Sequence, residues 1–475
     1  MKPITRRALL ATGGAAALAA GAGAYKLARP GGAIVPGVSR ARPVLGQTTI
    51  PRKADIVIIG GGYVGCHAAL FLAERGVSTA LCEKGVIAGE ASGRSAGLIT
   101  SLYLDPIKQD LILRSKQLWA GMNERVEADT GYRKPGQLTL FRNPPEQQET
   151  EGWLSTVDPT RREPAQFLST AEIKKRVRQG AEQWSGALWS PEEATAEPTL
   201  ACPAVAAAAI RKGAAVIQQC AARGIETSGG KVSAVVTEKG TIATSAVILA
   251  GGVWSPFFAR SLGLELPQFN AYSSMINVAP FDGPSITMFG NDVCCRQTPD
   301  GGYYAFTTNG TAPITPTTLR YLPQLLPSLT HLWDELDPVF SPSTFMREWS
   351  IPAQWPLDRP SPFEKVRILQ PEIRNARLDA VMARIRETFP AFADAKERER
   401  WAGALTTTPD NMPVISAVQR VPGLYLGTGI YFGLTMGPAI GEALADLVGG
   451  RTPRFDLRPY RYERFTDGSK LVFRD

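Results

Sequence analysis

Gly60, Gly62 and Gly65 stand in a G-x-G-x-x-G spacing, and Glu83 closes the next apolar run. That set of residue types suits one task, holding a dinucleotide. Gly60 permits a tight turn, Gly62 lets backbone approach a pyrophosphate, and Gly65 lets a helix pack close on a strand. A carboxylate at Glu83 is placed to accept hydrogen bonds from a ribose, which argues against a 2′-phosphate and so against NADP. Other chemistry-bearing residues are sparse. Two histidines, His67 and His331, and six cysteines without a C-x-x-C pair supply neither a zinc site nor a clear catalytic couple, so no metal is expected. Neighbouring Cys294 and Cys295 read as buried free thiols, and Cys66, Cys82 and His67 as packed residues.

The elements that must position the glycines lie around them. Residues 56–59 are a continuous apolar run, expected for a strand buried on both faces. A helical pattern follows through Ala68, Leu70, Leu72 and Ala73 and stops at Gly76, and a second strand is predicted from Ser78 to Cys82. The helix N-terminus brings unpaired N–H groups and a positive dipole end to the glycine turn. With 475 residues, 44% hydrophobic and 20% charged, the chain is neither disordered, collagenous nor a coiled coil. Its net charge is +8, and residues 1–50 carry seven Lys and Arg and no acid. The remainder is nearly neutral, so no nucleic-acid partner is expected.

Those first residues read as an export signal. Arg6-Arg7 precede an apolar stretch from Ala8 to Ala24 that ends on Ala22-Gly23-Ala24. This is the pattern of a twin-arginine signal with a cleavage site, and a periplasmic location is expected. Left uncleaved, the segment would tether the protein to a membrane. Residues 26–51 are rich in Pro and Gly and read as a flexible linker. Twin-arginine export carries folded chains, so the leader itself predicts a cofactor acquired before transport.

Beyond Glu83, four segments resemble motifs of the D-amino-acid oxidase-like family of FAD-dependent enzymes, the glycine, sarcosine and gamma-glutamylputrescine oxidase type. AGEASGRSAGL (residues 88–98) resembles its flavin loop, and ILAGGVWS (248–255) its middle strand and glycine turn. WAGALTTTPDNMPVI (401–415) resembles its tryptophan–glycine stretch, and GLYLGTGIYFGLTMGPAIGEALADLV (423–448) its closing strand, loop and helix. The resemblance covers residues 54 to 450 or so. It implies an α/β fold, with a Rossmann-like FAD-binding domain interleaved with an α+β substrate domain on a mostly antiparallel sheet. The order of the motifs assigns residues 52–104, 166–265 and 371–450 to the first and 105–165 and 266–370 to the second. Residues 1–51 are then signal and linker, and 451–475 a C-terminal tail.

The resemblance also implies site residues. Gly60, Gly62, Gly65, Glu83 and Lys84 match the adenosine and pyrophosphate end. Ala91, Ser92, Arg94, Ser95, Ala96, Gly97 and Leu98 match the loop beside the isoalloxazine and ribityl chain. Ala222 falls in the strand that meets the adenine, and Gly251 in the middle turn. Asp410, Gly429, Gly433, Leu434 and Thr435 match the stretch that presents backbone N–H groups to the pyrimidine end. Residues 88–98 contain no histidine, so the FAD is expected to be non-covalent. The implied activity is oxidation of the C–N bond of an amino acid or amine by hydride transfer to flavin N5, with oxygen or a membrane quinone as acceptor. Arg296, before the turn Asp300-Gly301-Gly302, is the expected clamp for a substrate carboxylate, and Tyr431 with Phe432 the expected wall over the flavin. Leu405 stands where some amino-acid-oxidising relatives carry Arg. A carboxylate-free amine or polyamine-type substrate therefore stays open, as does a flavin-binding electron-transfer subunit without turnover.

Overall fold

The computed structural model describes residues 39–102, 105–177, 181–290, 293–307, 310–326 and 336–474. The expectations for the leader and for His331 fall outside these residues.

Ile56–Ile59 is a strand at the heart of a six-stranded sheet. It pairs in parallel with Thr79–Cys82 on one side and Ala246–Leu249 on the other. Ala215–Ile217 extends the sheet beyond Thr79–Cys82, and Leu424–Thr428 extends it beyond Ala246–Leu249. Val414–Ala417 closes that edge antiparallel. Parallel strands must be covered on both faces, which is why all four residues of Ile56–Ile59 are apolar and buried. One cover is an antiparallel meander, Ala222–Ser228, Lys231–Thr237 and Gly240–Ala243. Its Ile225, Val235 and Ile242 pack with Val57, Val247 and Leu249.

Helices cover the other face. Tyr63–Glu74 is buried from Tyr63 to Ala73 and lies between Pro198–Arg211 and Gly433–Val448. Gly437 and Gly441 permit that approach. A Cβ at each would stand 2.7 and 2.6 Å from the Cβ atoms of Tyr63 and His67.

The larger sheet has ten strands among the described residues. Phe269–Val278 pairs antiparallel with Glu397–Thr407 over its whole length and with Tyr303–Thr307. Val293–Gln297 joins Tyr303–Thr307 as the hairpin that turns through Asp300, Gly301 and Gly302. Helix Asn375–Thr388 covers one face through Leu378, Val381, Met382 and Ile385. From the other face Met275, Tyr304, Phe306 and Trp401 pack against Ala96 and Leu98. The chain crosses between the layers more often than the motif order implies. Gln166–Leu168, Gly186–Ser190 and Glu397–Thr407 belong to the larger sheet, although the motif order put them in the nucleotide-binding segments. Short alternating strands carry no mark of the sheet they join.

One terminal segment also differs from expectation. Residues 39–51, read as flexible linker, lie pinned on the body: the Arg42 N–H donates to Thr199 O and the Gln47 N–H to Val216 O, both at 2.8 Å. The C-terminal tail buries Tyr460, Tyr462 and Arg464.

His67 is a packed residue, as expected, with no exposed surface. Its Nδ1–H donates to Tyr63 O at 2.7 Å and its ring meets Trp119 edge-on, while Nε2 has no partner. Burial drives its pKa down to about 4. In the unfolded chain an imidazole titrates at about 6.5. As pH falls from about 6.5 towards 4, the unfolded state takes up the proton first, and about 3 kcal/mol of stability is lost across that window. Urea denaturation at pH 7 and pH 4.5 should show this loss in the wild type and a smaller one in His67→Gln. Equal losses would contradict it.

Candidate active site

The glycine turn is built as its spacing demands. Gly60 has φ +113°, and a Cβ at Gly65 would collide with the Gly60 carbonyl oxygen. Helix Tyr63–Glu74 therefore starts directly above the strand end, with Gly62 as a cap that has no side chain of its own. Glu83 sits at the end of the neighbouring strand, where its two oxygens accept from the Gly61 N–H at 2.7 Å and the Gly85 N–H at 2.6 Å. Burial raises its pKa, while Lys84 and these two donors pull it down.

Gly60, Gly62, Glu83, Lys84, Ala91, Ser92, Ala222 and Gly251 line one cleft. Ala222 opens the antiparallel strand Ala222–Ser228, one element later than expected, because the short strand after Gly213 is Ala215–Ile217. Lys84 reaches the cleft wall, but its ammonium is committed to Glu90 at 2.7 Å and to the Val366 carbonyl at 2.8 Å. Glu90 is a hub that the motifs did not flag. It also accepts from Trp254 Nε1 at 3.0 Å and from the Leu369 N–H at 2.8 Å.

Beyond the cleft, residues 94–98 run between the two layers. Gly97 has φ +80° and leaves no room for a side chain beside Arg296 and Ala196. Trp401 Nε1 donates to Arg94 O at 2.9 Å, and Arg94 Nη1 donates to Ala402 O at 3.0 Å. Thr435 ties the first turn of helix Gly433–Val448 to the same loop by donating to Leu98 O at 3.2 Å. Leu434 O accepts from Trp119 Nε1 at 2.9 Å. Gly429 bends the preceding loop with φ +69°, and Tyr431 stands edge-on to Phe432 with 5.1 Å between centroids. The loop leaves Ser95 Oγ buried without a hydrogen-bond partner.

Two expected site residues are committed elsewhere. Asp410 is buried against Arg464 of the tail, with Nε–Oδ2 at 2.8 Å, and also accepts from Thr408 Oγ1 at 2.7 Å. It anchors its turn and does not face the cleft. Arg296 reaches the flavin-loop side of the larger sheet, as expected, but it is only 1% exposed. Its Nη2 pairs with Glu197 at 3.1 Å, its Nη1 donates to Gln297 O at 3.2 Å, and its Nε donates to Ala96 O. Glu197 in turn accepts from the Tyr304 hydroxyl at 2.9 Å. Burial, with Glu197 beside it, pushes that phenol up to about 12. The motifs missed Glu197. The signal for it was Glu-Pro-Thr, an N-cap before a helix with Pro at its first position.

Residues 55–447 match the family described as DAO, FAD dependent oxidoreductase. The chain belongs to this family. The L-amino acid deaminase of Proteus myxofaciens, solved in complex with anthranilate, is 35% identical at a TM-score of 0.85, over 90% of this chain and 97% of that one. Mouse mitochondrial sarcosine dehydrogenase is 24% identical over 88% of this chain, which spans only 42% of that relative's length. Glycine oxidase of Pseudomonas aeruginosa is 25% identical over 85% of this chain and 97% of its own.

The cofactor of this flavoprotein family fits the residues present. The uncapped helix start and glycine turn suit a pyrophosphate, and Glu83 suits a ribose. The buried Ser95 hydroxyl, without a hydrogen-bond partner in the protein, suits a polar atom of the cofactor. Residues 94–98 and the start of helix Gly433–Val448 would hold the ring end.

Arg296 is thus a strut between the larger sheet and the flavin loop. Arg296→Ala leaves Glu197 buried without its cation, which costs about 3–5 kcal/mol. The variant should purify with a reduced flavin-to-protein absorbance ratio. Full flavin content and wild-type stability would contradict this role.

Proposed function

We propose that this flavoprotein oxidises the carbon–nitrogen bond of an α-amino acid. The observation that carries the reading is the positive wall between the two layers. Arg94, Arg296 and Arg40 gather around Tyr304 and Trp401, against Glu197 and the half-exposed Glu399. Buried guanidinium groups in excess of buried carboxylates favour an anionic substrate. The likeness to an L-amino acid deaminase bound to a carboxylate, at 35% identity, supports the same class.

When bound, FAD supplies a two-electron acceptor for hydride from the nitrogen-bearing carbon. The chain's own part is to bind, orient and exclude water. The first turn of helix Gly433–Val448 has no side-chain cap, so its backbone donors favour negative charge beside the loop. Tyr431 and Phe432 form an aromatic wall at the same helix start. Anaerobic titration of the holoprotein should bleach the flavin with amino acids, while the matching decarboxylated amines bleach it at least about tenfold less effectively. Bleaching by amines alone would replace this reading with an amine oxidoreductase. No bleaching by either class would favour a flavin-binding subunit without turnover. Re-oxidation by oxygen or by a soluble quinone then identifies the acceptor.

We also propose export of the folded, flavin-loaded chain by the twin-arginine route, on the strength of Arg6-Arg7 before an apolar stretch. All six cysteines are free and buried, an arrangement suited to folding before an oxidising compartment is reached. Among the described residues no helix is long and apolar enough to cross a membrane. Replacing Arg6 and Arg7 by Lys should trap yellow protein in the cytoplasm. Unchanged export would exclude the route.

A further inference from the structure

We infer that Arg40, carried by the segment that joins the leader to the body, binds the carboxylate of the substrate. The inference rests on the amino-acid reading above and names the residue that makes the selection. The other two arginines of the wall are engaged by the protein, Arg296 by Glu197 and Ala96, and Arg94 by Ala402. Arg40 differs. Its side chain is 10% exposed, and its Nη1 is buried without a hydrogen-bond partner. A buried donor left unmade costs free energy that a ligand acceptor returns. Its one ion partner, Glu399, takes Nε at 3.1 Å and is itself 46% exposed, so water screens that pair.

The geometry holds the fork in place. The Arg40 Cζ lies 3.4 Å from the centroid of the Trp401 ring and 5.5 Å from that of Tyr304. Stacking on an indole face fixes the guanidinium plane and leaves its edge for a bidentate acceptor. Trp401 is hydrogen-bonded to the backbone of the flavin loop at Arg94 O, and the Tyr304 hydroxyl leads through Glu197 to Arg296 and Ala96 O. Arg40 is therefore one side chain removed from the flavin loop, on the side of the larger sheet. The Arg42 and Gln47 backbone hydrogen bonds fix the segment that delivers it.

The test compares Arg40→Ala, Arg40→Lys and Glu399→Gln with the wild-type holoprotein. Four quantities are measured: KM for an amino acid, KM for its decarboxylated amine, affinity for anthranilate by flavin spectrum and thermal shift, and flavin content. Arg40→Ala should raise the amino-acid KM and weaken anthranilate by about 10- to 100-fold, with kcat within about threefold. Arg40→Lys should recover only part, because an ammonium lacks the fork. Glu399→Gln keeps the stacked arginine but removes its competitor, and should tighten anthranilate by about two- to fivefold. The amine KM and the flavin content should not move. Unchanged anthranilate affinity in Arg40→Ala, or equal weakening of amine and amino acid, overturns the assignment. So does flavin loss in Arg40→Lys. A selective rise in amino-acid KM in a flavin-loaded Arg296→Lys, absent from the Arg40 variants, gives the clamp to Arg296 instead. A wild type that bleaches with no amino acid and binds no anthranilate overturns the amino-acid reading and this assignment together.

Discussion

A helix set so close to a strand end that no side chain fits between them is the constraint on which this molecule is built. The Gly65–Gly60 contact places the first turn of Tyr63–Glu74 over the end of Ile56–Ile59, and nothing larger than a hydrogen can occupy the gap. From that contact the other packing requirements arise in order. The helix is sunk so deep that almost every residue on it is buried, so its neighbours must also be small-faced. Gly437 and Gly441 meet that need on Gly433–Val448. That second helix is thereby drawn in until its own first turn reaches the loop at Leu98. The two ends of a long chain are brought to one cofactor by a packing requirement before any ligand is considered.

The joint between the two layers works differently. It is polar and charged, built from Arg296, Glu197, Tyr304, Arg94 and Trp401. A buried ion pair of this kind gives little net stability over an apolar pair of the same volume, because desolvation offsets most of the attraction. Its contribution is geometric definition. Each guanidinium donates along fixed directions, so the loop at Arg94 and Ala96 is held at one distance from the sheet. An apolar joint would tolerate sliding, and a loop that must lie along a flat cofactor cannot.

This difference explains which features were legible from sequence. The nucleotide unit lies within about thirty residues and is written in local terms: an apolar run, glycines, helical periodicity and an acid. Helix Tyr63–Glu74 and strand Thr79–Cys82 came within a residue or two of expectation. Asp410 and Arg296 were legible as positions, but the side-chain pairings that hold them were not. Their partners, Arg464 and Glu197, are distant in sequence, and no pattern links a carboxylate to a guanidinium across such gaps. Residues 39–51 were misread for a related reason. Pro and Gly signal the absence of helix and strand, and a strap held by isolated backbone hydrogen bonds and one stacked arginine has neither.

Placing a cation on that strap has a physical consequence for specificity. Arg296 cannot be varied without disturbing the flavin loop, because the same guanidinium holds Ala96. Arg40 meets the flavin loop through the Trp401 and Tyr304 side chains, so its removal leaves the loop's own hydrogen bonds intact. The strap contributes no full strand to either sheet and only bridges the six-stranded one at Gln47, so substitution at Arg40 is decoupled from the packing that builds the cofactor cleft. Cofactor retention and substrate charge selection are then set by different arginines, one locked inside the joint and one laid over it.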